Sequence, residues 1–192
     1  MQTIIDESKT ALVVIDLQKG IVGMPTQPHD SASVVANAAK LAETFRAKNM
    51  PVFLVRVATS ADGKDRLNPI VDGENPWARG QMPADWAEIV PELGPKDGDF
   101  LITKKQWGAF YGTELDLQLR RRKIETIVLC GIATNIGVES TARFAFEYGY
   151  QQIFIEDAMS SRSVEEHEHS IKTHLARLGR IRSTEDLLQA LK

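Results

Sequence analysis

The chain has 192 residues, enough for one domain with a sizeable core, and its formal charge of -3 gives no basic footprint for nucleic acid. A single cysteine, Cys130, excludes an internal disulfide framework, and no apolar run approaches the ~20 residues of a membrane span. The first residues show no charged-then-apolar leader, so a soluble, cytoplasmic protein is expected.

Ala11-Leu12-Val13-Val14-Ile15 is an unbroken apolar run that stops at Asp16. It reads as a central strand buried on both faces, with a carboxylate at its C-terminal end. A helix is predicted from a cap at Ser31 or Ser33 to about Lys48. Val34, Val35, Ala38, Leu41, Ala42 and Phe45 fall on its buried face, and Asn49 stops it. Pro51 opens a second strand, 52–57. Residues 58–98 are rich in Pro, Gly, Asp and Asn and carry Trp77 and Trp86. A loop of that length reads as a lid, with a short helix near 83–90.

A third strand, 100–103, ends at Lys104-Lys105-Gln106-Trp107-Gly108-Ala109-Phe110-Tyr111-Gly112. A helix follows from Thr113 to about Arg122, opening near a capping-box pattern and ending in a basic run that complements its dipole. Residues 126–130 form a fourth strand, which Gly131 breaks, and Thr134 or Asn135 is placed to cap a helix running to about Glu147. Residues 150–155 form a fifth strand ending at Glu156-Asp157, followed by a helix over 164–178 and a short strand, 180–182. Ser183 caps the last helix.

Strands alternating with helices indicate an α/β fold: a single doubly wound, Rossmann-like domain over 1–192 with helices on both faces. The expected sheet is parallel and six-stranded, in the order 3-2-1-4-5-6. That order sets the first strand beside the fourth at the topological switch point, where ligands bind beyond strand C-termini. Asp16 and the turn 131–137 would then share one crevice.

Asp16 has two readings. It is either a structural carboxylate paired with a nearby lysine, or a general acid or base whose pKa burial raises. Lys104 and Lys105 are either solvated or, beside Trp107, Phe110 and Tyr111, part of a site for an anionic or planar ligand. Cys130 lies inside a strand and reads as core. His167, His169 and His174 meet no zinc spacing and read as a solvated helix, so neither metal nor cofactor is expected. A Gly-rich phosphate loop and a G-x-S-x-G elbow are both missing from the sequence.

Three stretches, in order, resemble the isochorismatase-like (cysteine hydrolase) superfamily nearly end to end. They are Ala11 to Gln18, Lys104 with Gly-Ala-Phe-Tyr-Gly-Thr, and Gly131-Ile132-Ala133-Thr134-Asn135-Ile136-Gly137-Val138-Glu139-Ser140-Thr141-Ala142-Arg143. The resemblance implies a triad of Asp, Lys and Cys, in which Asp16 and Lys104 match and Gly137 stands at the position of the cysteine. It also implies a cis peptide at Ile132–Ala133 and places Gln18, Trp107, Phe110, Ile132, Ala133 and Asn135 against the substrate. The nicotinamidase metal histidines have no counterpart after the second strand.

Glycine at that position excludes a covalent thioester route. Isochorismatases share it, and there the neutral Asp protonates an enol ether carbon before water attacks the oxocarbenium ion. The resemblance therefore implies a hydrolase of a small anionic substrate, with Asp16 as acid/base and Lys104 neutralising the substrate. Backbone N–H groups around Ala133 and Gly137 would form the anion hole. Trp107-Gly108 and Ala133-Thr134-Asn135 depart from the isochorismatase pattern, so a different substrate is expected. The alternatives are amide or imide hydrolysis by Asp16-activated water, or a small-ligand-binding paralogue without catalysis. A homodimer or homotetramer is expected by resemblance.

Overall fold

The six strands are Thr10–Ile15 (β1), Val52–Val57 (β2), Phe100–Lys104 (β3), Thr126–Ile132 (β4), Gln151–Ser160 (β5) and Arg180–Arg182 (β6). In the computed structural model, which describes residues 5–73 and 82–192, they form one sheet of order β3-β2-β1-β4-β5-β6 with every neighbouring pair parallel. The chain adopts the predicted single doubly wound α/β domain. β1 is buried at every residue, as an apolar run covered on both faces must be.

The main helices are Ser31–Ala47 (α1), Leu115–Arg121 (α2), Glu139–Glu147 (α3), residues 164–178 (α4) and Thr184–Ala190 (α5). α1 packs on β1, β4 and β5 together with α5, while α3 packs with α4 on the opposite side of β5. The buried stripe of α1 is the one its 3.6-residue spacing selects, Val34, Val35, Ala38, Leu41, Ala42 and Phe45. Asn49 ends it in the left-handed region at φ 56°. Ser183 caps α5 with a capping box to Asp186, as its sequence pattern requires.

Several element ends differ from the sequence expectation. The α1 cap is Asp30, whose carboxylate accepts from Ser33 N at 2.9 Å, because a cap must stand three residues before the N–H it satisfies. Thr113 makes no capping box. Its hydroxyl accepts from Leu115 N and donates to Ala109 O, so α2 starts two residues later. β5 runs on past Glu156-Asp157 to Ser160, through a register shift against β4 near Gly131. Residues 83–90 form turns rather than a helix, since Ile89 bridges Gln18 and Lys19 N donates to Glu88 O. Trp77 lies outside the described residues.

The register places the site. β1 and β4 pair from Thr10↔Thr126 to Ile15↔Gly131, so Asp16 and the turn after β4 emerge side by side at the switch point. A side chain on Gly131 would collide with the Ile15 carbonyl, which explains the glycine at φ 124°. Among the described residues, no helix is long and apolar enough to cross a membrane.

Candidate active site

Asp16 leaves β1 at φ 55°, a left-handed conformation uncommon outside glycine. Its backbone N–H still donates to Val55 O at 2.9 Å, so the last peptide of the strand is fixed while the side chain turns into the crevice. The carboxyl is buried. Oδ2 accepts from Lys104 Nζ at 2.8 Å, and Oδ1 has no hydrogen-bond partner among the described residues. Burial pushes this carboxyl up to about 6, although the adjacent ammonium pulls the other way.

Lys104 ends the edge strand β3, two strands from β1. At the usual inter-strand spacing that separation is about 10 Å, which the two side chains bridge together. The ammonium is 2% exposed and donates to Asp16 Oδ2, to Gln106 O at 3.0 Å and to Trp107 O at 2.7 Å. Three N–H groups meet three protein acceptors, so Lys104 is saturated within the chain. It holds Asp16 and folds the 106–107 loop. No donor remains for a hydrogen bond to substrate, so any action of Lys104 on a substrate's charge would be through space.

Gly137 lies in a π-helical turn, Thr134–Val138, just before α3. Its carbonyl accepts from Thr141 Oγ1, which in turn accepts from Ala109 N, tying the turn to the loop after β3. A Cβ built on Gly137 would stand 2.9 Å from both Asp16 Oδ2 and Ile15 Cγ2. A side chain at this position would crowd the acid and Ile15, so one of them would have to shift. Cys130 is no substitute, because burial pushes its thiol up to about 12 and it sits in the core.

Asp16, Lys104, Trp107, Ile132, Ala133 and Gly137 line one cavity of about 120 Å³, and Ile132–Ala133 is a cis peptide. Met24, Thr26, Ser161 and Arg162 line this cavity as well, with Arg66, Leu67 and Trp86 from the long loop. Arg162 is exposed at the rim and has no partner among the described residues. Lys105 is paired with Asp65 at 2.8 Å. The walls are mainly apolar, with a few convergent polar groups, as in a small-molecule site.

A family model described as the isochorismatase domain matches residues 10–186. The chain belongs to the isochorismatase family. It is 58% identical to the uncharacterized isochorismatase family protein YwoC of Bacillus subtilis (strain 168), covering 98% of this chain and 97% of that one. It is 32% identical to the ureidoacrylate amidohydrolase RutB of Agrobacterium fabrum (strain C58 / ATCC 33970), over 79% of this chain and 75% of that one. Among solved structures, an isochorismatase family protein from Burkholderia thailandensis superposes with a TM-score of 0.94 at 41% identity, covering 100% of this chain and 99% of that one.

Three residues expected against substrate do other work in this isochorismatase-family chain. Gln18 is fully buried. Its amide donates to Val57 O and Trp86 O and accepts from Val57 N at 2.8 Å, bracing the end of β2 against the long loop. Phe110 turns inward and packs between Tyr148 and Tyr150. Asn135 accepts from Ser161 Oγ at 2.8 Å, and its neighbour Ile136 faces the cavity instead. Thr134 caps no helix, and its hydroxyl meets His167 Nδ1 at 2.8 Å. His167 is therefore not solvated. It is 1% exposed, and its Nε2 lies 3.1 Å from Glu156 Oε1. The missed signal was Glu156, a carboxylate at the end of an apolar run, the same pattern that singled out Asp16. The histidine hydrogen bonds, His167 first, hold Glu156 down to about 2 against partial burial.

Proposed function

We propose that this isochorismatase-family protein is a hydrolase that cleaves a small anionic enol ether by acid catalysis, without a covalent enzyme intermediate. The observation that supports the reading is the juxtaposition of Asp16 and Gly137: a buried carboxyl with one unpartnered oxygen lies directly beside the residue that carries no nucleophile. With Lys104 bound to Oδ2, the acid proton belongs on Oδ1, the oxygen without a protein acceptor. The O–H bond breaks as a C–H bond forms at the terminal carbon of the C=C–O unit, leaving an oxocarbenium ion and the Asp16 carboxylate. Water attacks the cation and returns a proton to Asp16. The resulting hemiketal then collapses to a ketone and an alcohol, so one water is consumed and the acid is regenerated.

An anionic substrate is favoured by Arg162, the cation at the rim with no partner among the described residues. Backbone N–H groups of Ala133 and Gly137, which line the same cavity, would suit the same charge. Isochorismate itself is not assigned, since Trp107 and Ala133 shape the pocket differently from the isochorismatase pattern. The likeness to RutB, named as a ureidoacrylate amidohydrolase, favours a second reading, in which Asp16 as carboxylate activates water against an amide.

A product assay over carboxylate-bearing enol ethers and ureido acids separates the two. Acid catalysis predicts that an enol ether is consumed, with Asp16→Asn reducing turnover by about 10²–10⁴-fold while the fold is retained. Consumption of the ureido acid alone would assign the second reading. Consumption of neither, with a ligand that only raises the melting temperature, would mark a binding protein.

A further inference from the structure

Outside the cavity, His29, Glu156 and His167 converge from three separate parts of the chain. His29 precedes α1, Glu156 lies within β5, and His167 is in the first turn of α4. Glu156 Oε1 is 2.8 Å from His29 Nε2 and 3.1 Å from His167 Nε2, and the donor atoms all lie within 4.8 Å of one another. The two rings meet edge to face at 85° with centroids 5.8 Å apart, so neither covers the other's nitrogen by stacking. None of the three lines the cavity that holds Asp16.

We propose that His29, Glu156 and His167 bind one divalent transition-metal ion of the zinc class, at a site separate from the catalytic cavity. Two imidazoles and one carboxylate are a donor set suited to Zn²⁺ and its neighbours. Bonds of about 2.0–2.1 Å to a tetrahedral ion place donors roughly 3.3 Å apart, close to the two nitrogen–oxygen distances observed here. The partner of the remaining ring nitrogen is already in place, since His167 Nδ1 is held by Thr134 Oγ1 at 2.8 Å. With the metal on Nε2, the His167 proton resides on Nδ1 and is donated to that hydroxyl. His29 and Glu156 are 29% and 36% exposed at their side chains, which leaves a water-accessible fourth position.

The ion would tie α4 and β5 to the segment before α1. That segment carries Met24 and Thr26 of the cavity wall, and Thr134 begins the turn that carries Gly137. The metal therefore acts as a clamp behind the site rather than as a participant in proton transfer. Site formation adds stability through binding to the folded state alone.

The test uses full-length protein stripped with a chelator, then titrated with Zn²⁺ by calorimetry and followed by thermal unfolding, with Co²⁺ as a visible coordination probe. One equivalent per chain, a raised melting temperature and a tetrahedral Co²⁺ spectrum are expected. His29→Gln, at a partly exposed position, and Glu156→Gln should each weaken binding by more than about 100-fold. Thr134→Val should weaken it by about 10–100-fold, the usual effect of removing such a second partner. Asp16→Asn should leave binding unchanged, with the fold of each variant checked by circular dichroism. The absence of saturable binding, or one equivalent that survives both His29→Gln and Glu156→Gln, would overturn the proposal.

Discussion

Asp16 and Gly137 face each other too closely for a side chain between them: a Cβ on Gly137 would stand 2.9 Å from Asp16 Oδ2, an oxygen that Lys104 holds at 2.8 Å. A carboxylate held in this way yields little, so Gly137→Cys forces Asp16 out of position rather than completing a triad. The variant should lose enol ether turnover, gain no amidase activity and be destabilised by about 1–3 kcal/mol, the usual cost of overpacking. Denaturant unfolding and intact-mass analysis after amide exposure check this. A stable variant that forms an acyl adduct would contradict it.

The raised Asp16 carboxyl sets the pH dependence. Its protonated form is the active acid, so kcat/KM should be flat at low pH and fall about tenfold per unit above an apparent pKa near 6. Stability moves the same way. The folded pKa lies above the ordinary value of 3.8, so the folded state binds the extra proton between the two values. This contribution is fully present below 3.8 and is lost as pH rises through about 6. On the order of 2–3 kcal/mol is at stake, and Asp16→Asn should remove that slope from a series of urea midpoints at different pH.

Lys104→Met leaves Asp16 buried beside an apolar chain and releases the Gln106 and Trp107 carbonyls. Removing one member of a buried ion pair costs up to about 3–5 kcal/mol. The loss should be smaller at pH 5 than at pH 8, because the remaining carboxyl is neutral at the lower value. Without the cation the apparent pKa of Asp16 should rise, carrying the activity shoulder to higher pH. A pH–rate profile that coincides with wild type would show that Lys104 does not tune the acid.

These groups were legible in the sequence to different degrees. The run Ala11–Ile15 broken by Asp16 marked the end of β1, and the switch point of the sheet order put it beside Gly131, although β4 runs past Gly131 to Ile132. Lys104 was visible as a residue but not in its saturation, since Gln106 O and Trp107 O are acceptors supplied by a loop conformation. Gln18 was expected against substrate by resemblance alone, which carries no information on where its side chain turns. The chain leaves the sheet there, and Gln18 turns instead to Val57 and Trp86. His167 misled because spacing along α4 shows which residues share a helix face but not that Thr134 and Glu156 wait opposite it.

Arg162 should act on binding alone. It is exposed where it lines the cavity, whereas Asp16 is buried, so Arg162→Ala should raise KM for a carboxylate-bearing substrate by about 10–100-fold, the worth of a charged hydrogen bond. The kcat should change little, and a neutral ester of the same substrate should show no difference between the two proteins. Steady-state kinetics with the acid and its ester separates this from a general loss of the pocket.

Turnover of a carboxylate-bearing enol ether in deuterated water, compared between wild type and Asp16→Asn, tests the acid mechanism most directly. Proton delivery from Asp16 Oδ1 predicts one deuteron on the carbon that was the alkene terminus, seen by NMR of the ketone product, and a loss of about 10²–10⁴-fold in the variant. Equal turnover by wild type and Asp16→Asn would contradict it.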